Sequence, residues 1–329
     1  MNRREIIAGA AALAACGPAR SQATPALFPM RRGVNLGNAL EAPNEGDWGY
    51  RIEGAHLIAI KQAGFDGVRL PVRWDNHINA DGRIDPNFLY RVQEVASWAI
   101  DLDLYVQLNV HHYAALIENP AREQARFLDL WRQIGEGFAS APPALFFELL
   151  NEPNGPQWTG ARLSDLQGAA IEVVRASNHN RLIALGPGNW QNIDALRDWR
   201  PPEAENIAVS VHYYEPHAFT HQNAEWLGAD APRFDRDWGT GEDRTAVRGH
   251  IEQAAAWGAR FGYAMQLGEF GVNRAVPIQQ RAAWTRAIRE ACEASGMAWC
   301  VWDFDGAFPV WDRAAGAINP LMRDALFRQ

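Results

Sequence analysis

The sequence predicts an α/β fold in which eight parallel strands close into a single (β/α)8 TIM barrel, and three observations predict it. From residue 33 onward, short apolar runs ending in a polar or aromatic residue alternate with stretches of helical periodicity, and eight such runs can be counted. No glycine-rich G-x-G-x-x-G turn follows the first run, so an open dinucleotide-binding sheet would lack its phosphate site. The 329 residues hold no long linker and no low-complexity stretch, which leaves one barrel domain over 30–329 as the natural division.

The runs read as strands are 33–36, 67–71, 104–110, 145–150, 182–186, 208–212, 264–268 and 298–302. Between them, Phe127, Leu130, Trp131, Ile134 and Phe138 recur at helical spacing, as do Trp284, Ile288 and Ala291, and each set marks a helix face turned to a core. The longest connection runs from Glu215 to about Arg244 after the sixth strand and carries Trp226 and Trp238. A loop of that length in a compact domain is more often functional than accidental.

Upstream of the barrel, residues 1–23 read as an export signal, basic over 1–4 and apolar over 6–15, a run too short to span a bilayer. Arg3 and Arg4 form a twin arginine. Leu13, Ala14, Ala15 and Cys16 resemble a lipoprotein cleavage box that would leave a lipid anchor on Cys16, whereas Ser21, Gln22 and Ala23 offer an ordinary small-residue cleavage site, and both stay open. Either way the expected location is outside the cytoplasm: periplasmic, secreted, or an outer-membrane lipoprotein. No later segment is long and apolar enough for a transmembrane helix.

A net charge of −8 with no basic cluster argues against nucleic acid and suits a neutral partner better. The 14 Trp are about three times average usage, a surplus that fits a groove stacking flat sugar faces even though any single Trp is more often packing. Beyond the leader only Cys292 and Cys300 remain, either paired or as buried free thiols, and no cysteine spacing suggests a metal. No cofactor and no metal are expected, and the chain is expected to act as a monomer.

A barrel of this kind carries its active site at the C-terminal ends of the strands. Arg69 lies in the second strand, His111 and His112 end the third, Asn151 and Glu152 the fourth, His212 and Tyr214 the sixth, Glu269 the seventh and Trp302 the eighth. Glu152 and Glu269 would therefore face each other across the mouth. Hydrolysis of a sugar acetal needs one carboxyl to protonate the departing oxygen and one carboxylate to meet the developing positive carbon, so the pair points to a glycosidase acting on a polysaccharide or oligosaccharide. Asn35 and Asn38 flank the end of the first strand, to bind sugar hydroxyls or to fix a loop. Trp74, Trp190, Trp226, Trp238 and Trp311 follow strand ends, as groove walls or as packing. His56 reads as structural, and Asp303 with Asp305 as turn geometry rather than a second acid pair.

Seven segments in order, "GVNLGNALEAP", "VRLPVRW", "NVHH", "LLNEP", "VHYY", "LGEFG" and "VWDFDG", give residues 30–329 a close resemblance to glycoside hydrolase family 5, the cellulase family of retaining barrel enzymes. The resemblance implies that Glu152 is the acid/base and Glu269 the nucleophile of a retaining endo-acting enzyme. It further implies that Asn151 binds the hydroxyl beside the reacting carbon, that Arg69 and Tyr214 hold Glu269 charged and aimed, that His111 and His212 position the carboxyls, and that Trp302 underlies the sugar. Its "GVNLGNALEAP" and "NVHH" segments are more like cellulase members, which implies β-1,4-glucan, with mannan and other β-glycans as the alternative. A metal hydrolase built on His111, His112 and His212 lacks the paired histidines that its first strand would carry. A non-catalytic sugar-binding barrel would have lost a glutamate, and both are present.

Overall fold

The structure is a computed structural model that describes residues 27–228 and 235–328. The leader expected over 1–23, with Cys16, lies outside them. Eight parallel strands, β1 (Arg32–Asn35), β2 (Gly67–Leu70), β3 (Tyr105–Asn109), β4 (Leu145–Glu148), β5 (Ile183–Leu185), β6 (Ile207–His212), β7 (Met265–Glu269) and β8 (Ala298–Val301), pair in chain order, and β8 closes on β1. Every strand falls within two residues of the run that predicted it. Among the described residues no helix is long and apolar enough to cross a membrane.

Alternate residues on each strand face in and out, and the two sets are sorted by chemistry. Val34, Val68, Val106, Leu108, Ile183, Val209, Val211, Leu267 and Trp299 join the large core shared with the helices. The helix Pro120–Gly137 buries Phe127, Leu130, Trp131 and Ile134 there, and Ile278–Ala294 buries Trp284, Ile288 and Ala291, as their spacing requires. Pro120 stands in the first turn of its helix, where its missing N–H costs nothing, and the Asn119 side chain caps Arg122 N at 3.2 Å.

The inward set is layered. At the bottom, Phe28 and Met30 pack against Phe146, Ala184, Ala208, Ala298 and Cys300 and fill the lumen. Gly33 and Gly67 admit that plug, since a Cβ on Gly67 would lie 2.6 Å from Met30 Sδ and 2.8 Å from the Tyr105 carbonyl oxygen. Above it lies a buried polar layer of Asn35, Arg69, Gln107, Glu148, Ser210 and Gln266, which carries the site.

One βα unit departs from the expected alternation. Between β5 and β6 the chain makes only two short turns, Gly188–Gln191 and the 3₁₀ turn Ile193–Arg197, hemmed in by Gly186 and Pro187 on one side and Pro201 and Pro202 on the other. Trp199, wholly buried, fills the space against Trp257. Cys292 and Cys300 are free and buried, which settles them as packed thiols.

Gly67→Ala should press its new methyl on Met30 and on strand backbone, and overpacking of this kind costs about 1–3 kcal/mol. Urea denaturation would check it; unchanged stability would show that the plug can shift without strain.

Candidate active site

The site is built outward from one buried cation. Arg69, wholly enclosed on β2, aims its guanidinium up the lumen and uses all five of its N–H groups. Nε and Nη2 donate to Glu148 at 2.6 and 3.0 Å, Nη1 donates to Glu269 Oε1 at 2.6 Å and to Asn35 Oδ1 at 2.8 Å, and Nη2 donates to Asn151 Oδ1 at 2.7 Å. Asn35 is no groove residue: its amide nitrogen donates to the carbonyls of Gly268 at 3.0 Å and Val301 at 3.2 Å, so it braces Arg69 from behind. Asn151, its oxygen spent on Arg69, keeps its amide N–H groups for the cleft it lines.

Glu269 reaches this cation through an irregularity. Strict alternation after Gln266 would turn Gly268 inward and Glu269 out. A bulge between β6 and β7 instead sets Val211 opposite Leu267 but His212 opposite Glu269. Gly268 suits the skipped place, where a Cβ would collide with Ser210 Oγ. The other oxygen of Glu269 accepts a hydrogen bond from the Tyr214 hydroxyl at 3.0 Å.

Glu152 arrives differently, four residues past the end of β4, with a left-handed backbone (φ 48°) that a glutamate rarely adopts. Its carboxyl has no direct cation. Its Oε1 lies 2.8 Å from His212 Nδ1, which is 3.7 Å from Glu269 Oε2, and all three groups offer atoms within 4.8 Å of one another. Such a trio is close enough to hold a cation, but the Arg69 charge already on Glu269 opposes one.

The two glutamates are thus electrostatically unequal. Burial pushes Glu152 up to about 7, with only the more distant Arg69 charge pulling it down. Burial and the neighbouring Glu152 charge raise Glu269 as well, opposed by His212 and by the guanidinium in contact with it, and that direct contact favours the charge on Glu269 over Glu152. Burial lowers His212 to about 4 and keeps the ring neutral near pH 7. Deeper down, burial would raise Glu148, but the bidentate Arg69 outweighs it and holds that carboxylate below its ordinary range.

Around the pair opens a cleft of about 1610 Å³. Trp302 lies on one side, its ring stacked nearly parallel on His111 (centroids 5.4 Å apart, planes at 4°). His111 Nδ1 accepts from Asn109 Nδ2 at 3.1 Å, which leaves the ring proton on Nε2. His112 borders the cleft edge-on to Trp48. Trp48, Trp190 and Trp226 are 45%, 54% and 54% exposed along its walls.

The model of the family described as cellulase, glycosyl hydrolase family 5, matches residues 32–307. The chain belongs to glycosyl hydrolase family 5. Endoglucanase H of Acetivibrio thermocellus is 31% identical over 306 residues, which make up 91% of this chain and 33% of that one, so this chain spans about a third of that relative's length. The solved structures of Thermotoga maritima Cel5A in complex with cellobiose and with mannotriose each superpose with a TM-score of 0.87 at 36% identity, covering 91% of this chain and 97% of theirs.

Within this family 5 barrel, the five tryptophans that follow strand ends divide by burial. Trp190 and Trp226 face the cleft. Trp74 is wholly buried and donates to the Asn109 carbonyl at 2.9 Å, Trp238 is buried, and Trp311 packs on His56 and Phe304. His56 also accepts from Glu53 N at the start of its helix, a structural place. Asn38 borders the cleft while its amide binds Asp303, whose other oxygen accepts from Phe308 N at 3.2 Å, and Asp305 pairs with Arg313 at 2.7 Å. Sequence reasoning missed Glu148, Gln107, Gln191, Glu41 and Trp48. The first two carried a signal, as polar residues inside otherwise apolar strands. Glu41 lines the cleft, accepts the backbone N–H groups of Asn38 and Ala39, and is pushed up to about 8 by burial.

Arg69→Met would strand two buried carboxylates, a loss of about 3–5 kcal/mol near neutral pH. Because Arg69 holds Glu148 below its ordinary 4.5, that stabilisation is present above the unfolded value and fades as pH falls through the folded one. Denaturation at pH 4 and pH 7 should therefore show the smaller deficit in acid; an equal deficit at both would mean that lost packing, not lost charge, dominates.

Proposed function

We propose that this chain is an exported, retaining endo-β-1,4-glucanase with Glu269 as nucleophile and Glu152 as acid/base. The observation that carries the reading is that a carboxyl oxygen of Glu152 and one of Glu269 lie within 4.8 Å of each other, joined to their unequal contact with Arg69. Retaining glycosidases hold these groups about 5–5.5 Å apart, whereas inverting ones need about 6.5–9.5 Å to seat a water. Glu269, ionised against Arg69, attacks the anomeric carbon as Glu152 gives its proton to the departing glycosidic oxygen, and the carbon–oxygen bond breaks. Glu152, now a carboxylate, takes a proton from water as that water attacks the sugar ester, and Glu269 is released.

The glucan reading draws on the endoglucanase relative and the cellobiose complex of Cel5A. A second reading, β-mannan, draws on the mannotriose complex of the same relative. The open, tryptophan-walled cleft fits internal cleavage of a chain, and export rests on Arg3, Arg4 and the apolar run behind them.

Cleavage of a cello-oligosaccharide followed by NMR should give a first product of retained configuration, and a panel of β-glycans should release more sugar from β-1,4-glucan than from mannan. Glu269→Ala should abolish turnover, with azide restoring it as a glycosyl azide of opposite configuration; azide rescue of Glu152→Ala should give retained configuration. An inverted first product would defeat the nucleophile assignment. Turnover against pH should form a bell whose basic limb falls near 7, where Glu152 loses its proton, and a rate still rising well above that would contradict its role as the acid.

A further inference from the structure

The loop after β5 places an unusual device beneath Glu152. Asn189, Trp190 and Gln191 are three consecutive left-handed residues (φ 53°, 56° and 54°), a run that L-residues adopt only when their surroundings hold them there. The turn sends its neighbouring side chains opposite ways. Trp190 stands exposed on the cleft wall, whereas Gln191 is wholly buried and points into the lumen.

Every hydrogen-bonding group of the Gln191 amide nitrogen, and its oxygen, has a partner there. Its Oε1 accepts the Glu152 backbone N–H at 2.8 Å, and its Nε2 donates to the Ser210 carbonyl at 3.2 Å and to Glu148 Oε1 at 3.3 Å. One side chain therefore ties Glu152 to β6 and to the carboxylate that Arg69 holds. Room for it is built in: a Cβ on Gly186, at the end of β5, would collide with the Gln191 amide.

Glu152 needs such a tie. Its left-handed backbone is disfavoured for a side chain with a Cβ, and its carboxyl position follows from that backbone, because neither oxygen is held by a cation. We propose that Gln191 is the positioning residue of the acid/base: by holding the Glu152 N–H it fixes the left-handed turn that aims the carboxyl at the departing oxygen. The inference rests on the glycosidase reading of Glu152. It is separate from any sugar contact, since Gln191 is enclosed and the cleft-facing member of the turn is Trp190.

A residue that aims the acid has a signature that a merely structural residue lacks. Protonation of the departing oxygen matters greatly when the leaving group is a sugar and little when it is a dinitrophenolate, which departs without help. Gln191→Leu keeps the bulk and loses the acceptor. In the full chain it should lower kcat/KM on cellotetraose by on the order of 100-fold, the scale of general-acid assistance, while leaving kcat/KM on dinitrophenyl β-cellobioside nearly unchanged. Gln191→Asn, one methylene short of Glu152, should move the ratio of the two rates in the same direction, and so should Gly186→Ala, which displaces the amide without altering it. Gln191→Asn serves as the deciding variant where Gln191→Leu does not fold.

Rates on both substrates that fall in step, or a ratio unchanged in the variants, would overturn the role of Gln191 while the glucanase reading stands. A wild-type chain that cleaves neither substrate would overturn the glucanase reading and this inference with it.

Discussion

The ion pairing of Arg69 is the constraint on which the rest of the site depends. A guanidinium in the lumen of a barrel must find an acceptor for each of its five N–H groups, and here those acceptors come from β1, from β4 and the turn after it, and from β7. Satisfying one cation thereby fixes the relative placement of Glu269 and Asn151, which lie more than a hundred residues apart in the chain. Glu148 lies outside the cleft lining, yet its two hydrogen bonds to Nε and Nη2 fix the plane of the guanidinium that Glu269 and Asn151 share.

The same arrangement separates two chemically identical side chains into two roles. Glu269 is buried and Glu152 half-buried, burial raises both, and only Glu269 touches the cation. Glu152 is left to His212, which burial keeps neutral, and to its own backbone. Contact with the cation, not burial, therefore favours the charge on Glu269 and the proton on Glu152. An apolar floor lies beneath the polar layer, where Met30 and Phe28 close the bottom of the lumen.

Much of this was legible in the sequence because barrel strands are short, apolar and regularly spaced. The apolar runs placed Arg69 within the second strand, and strand ends marked His111, Asn151, Glu152, His212, Glu269 and Trp302. Asn35 was legible only as a residue near the first strand's end; its service to Arg69 depends on β1 lying beside β8, a closure that joins opposite ends of the chain. Tryptophan number suggested a groove, but which rings face it depends on burial, and Trp74 and Trp226 look alike until the helices are packed.

The sequence by itself determined the eight-stranded barrel, the polar strand ends and the family, since these follow from patterns that span at most a few residues at a time. Tertiary structure decided the chemistry. Alternation alone would turn Glu269 outward, and only the register shift against β6 brings it onto Arg69. Glutamate alone would avoid a left-handed backbone, and only the Gln191 amide, carried by a loop 39 residues away, satisfies the N–H of Glu152 in that state. Both are non-local balances of hydrogen bonding and strain, which no local pattern encodes.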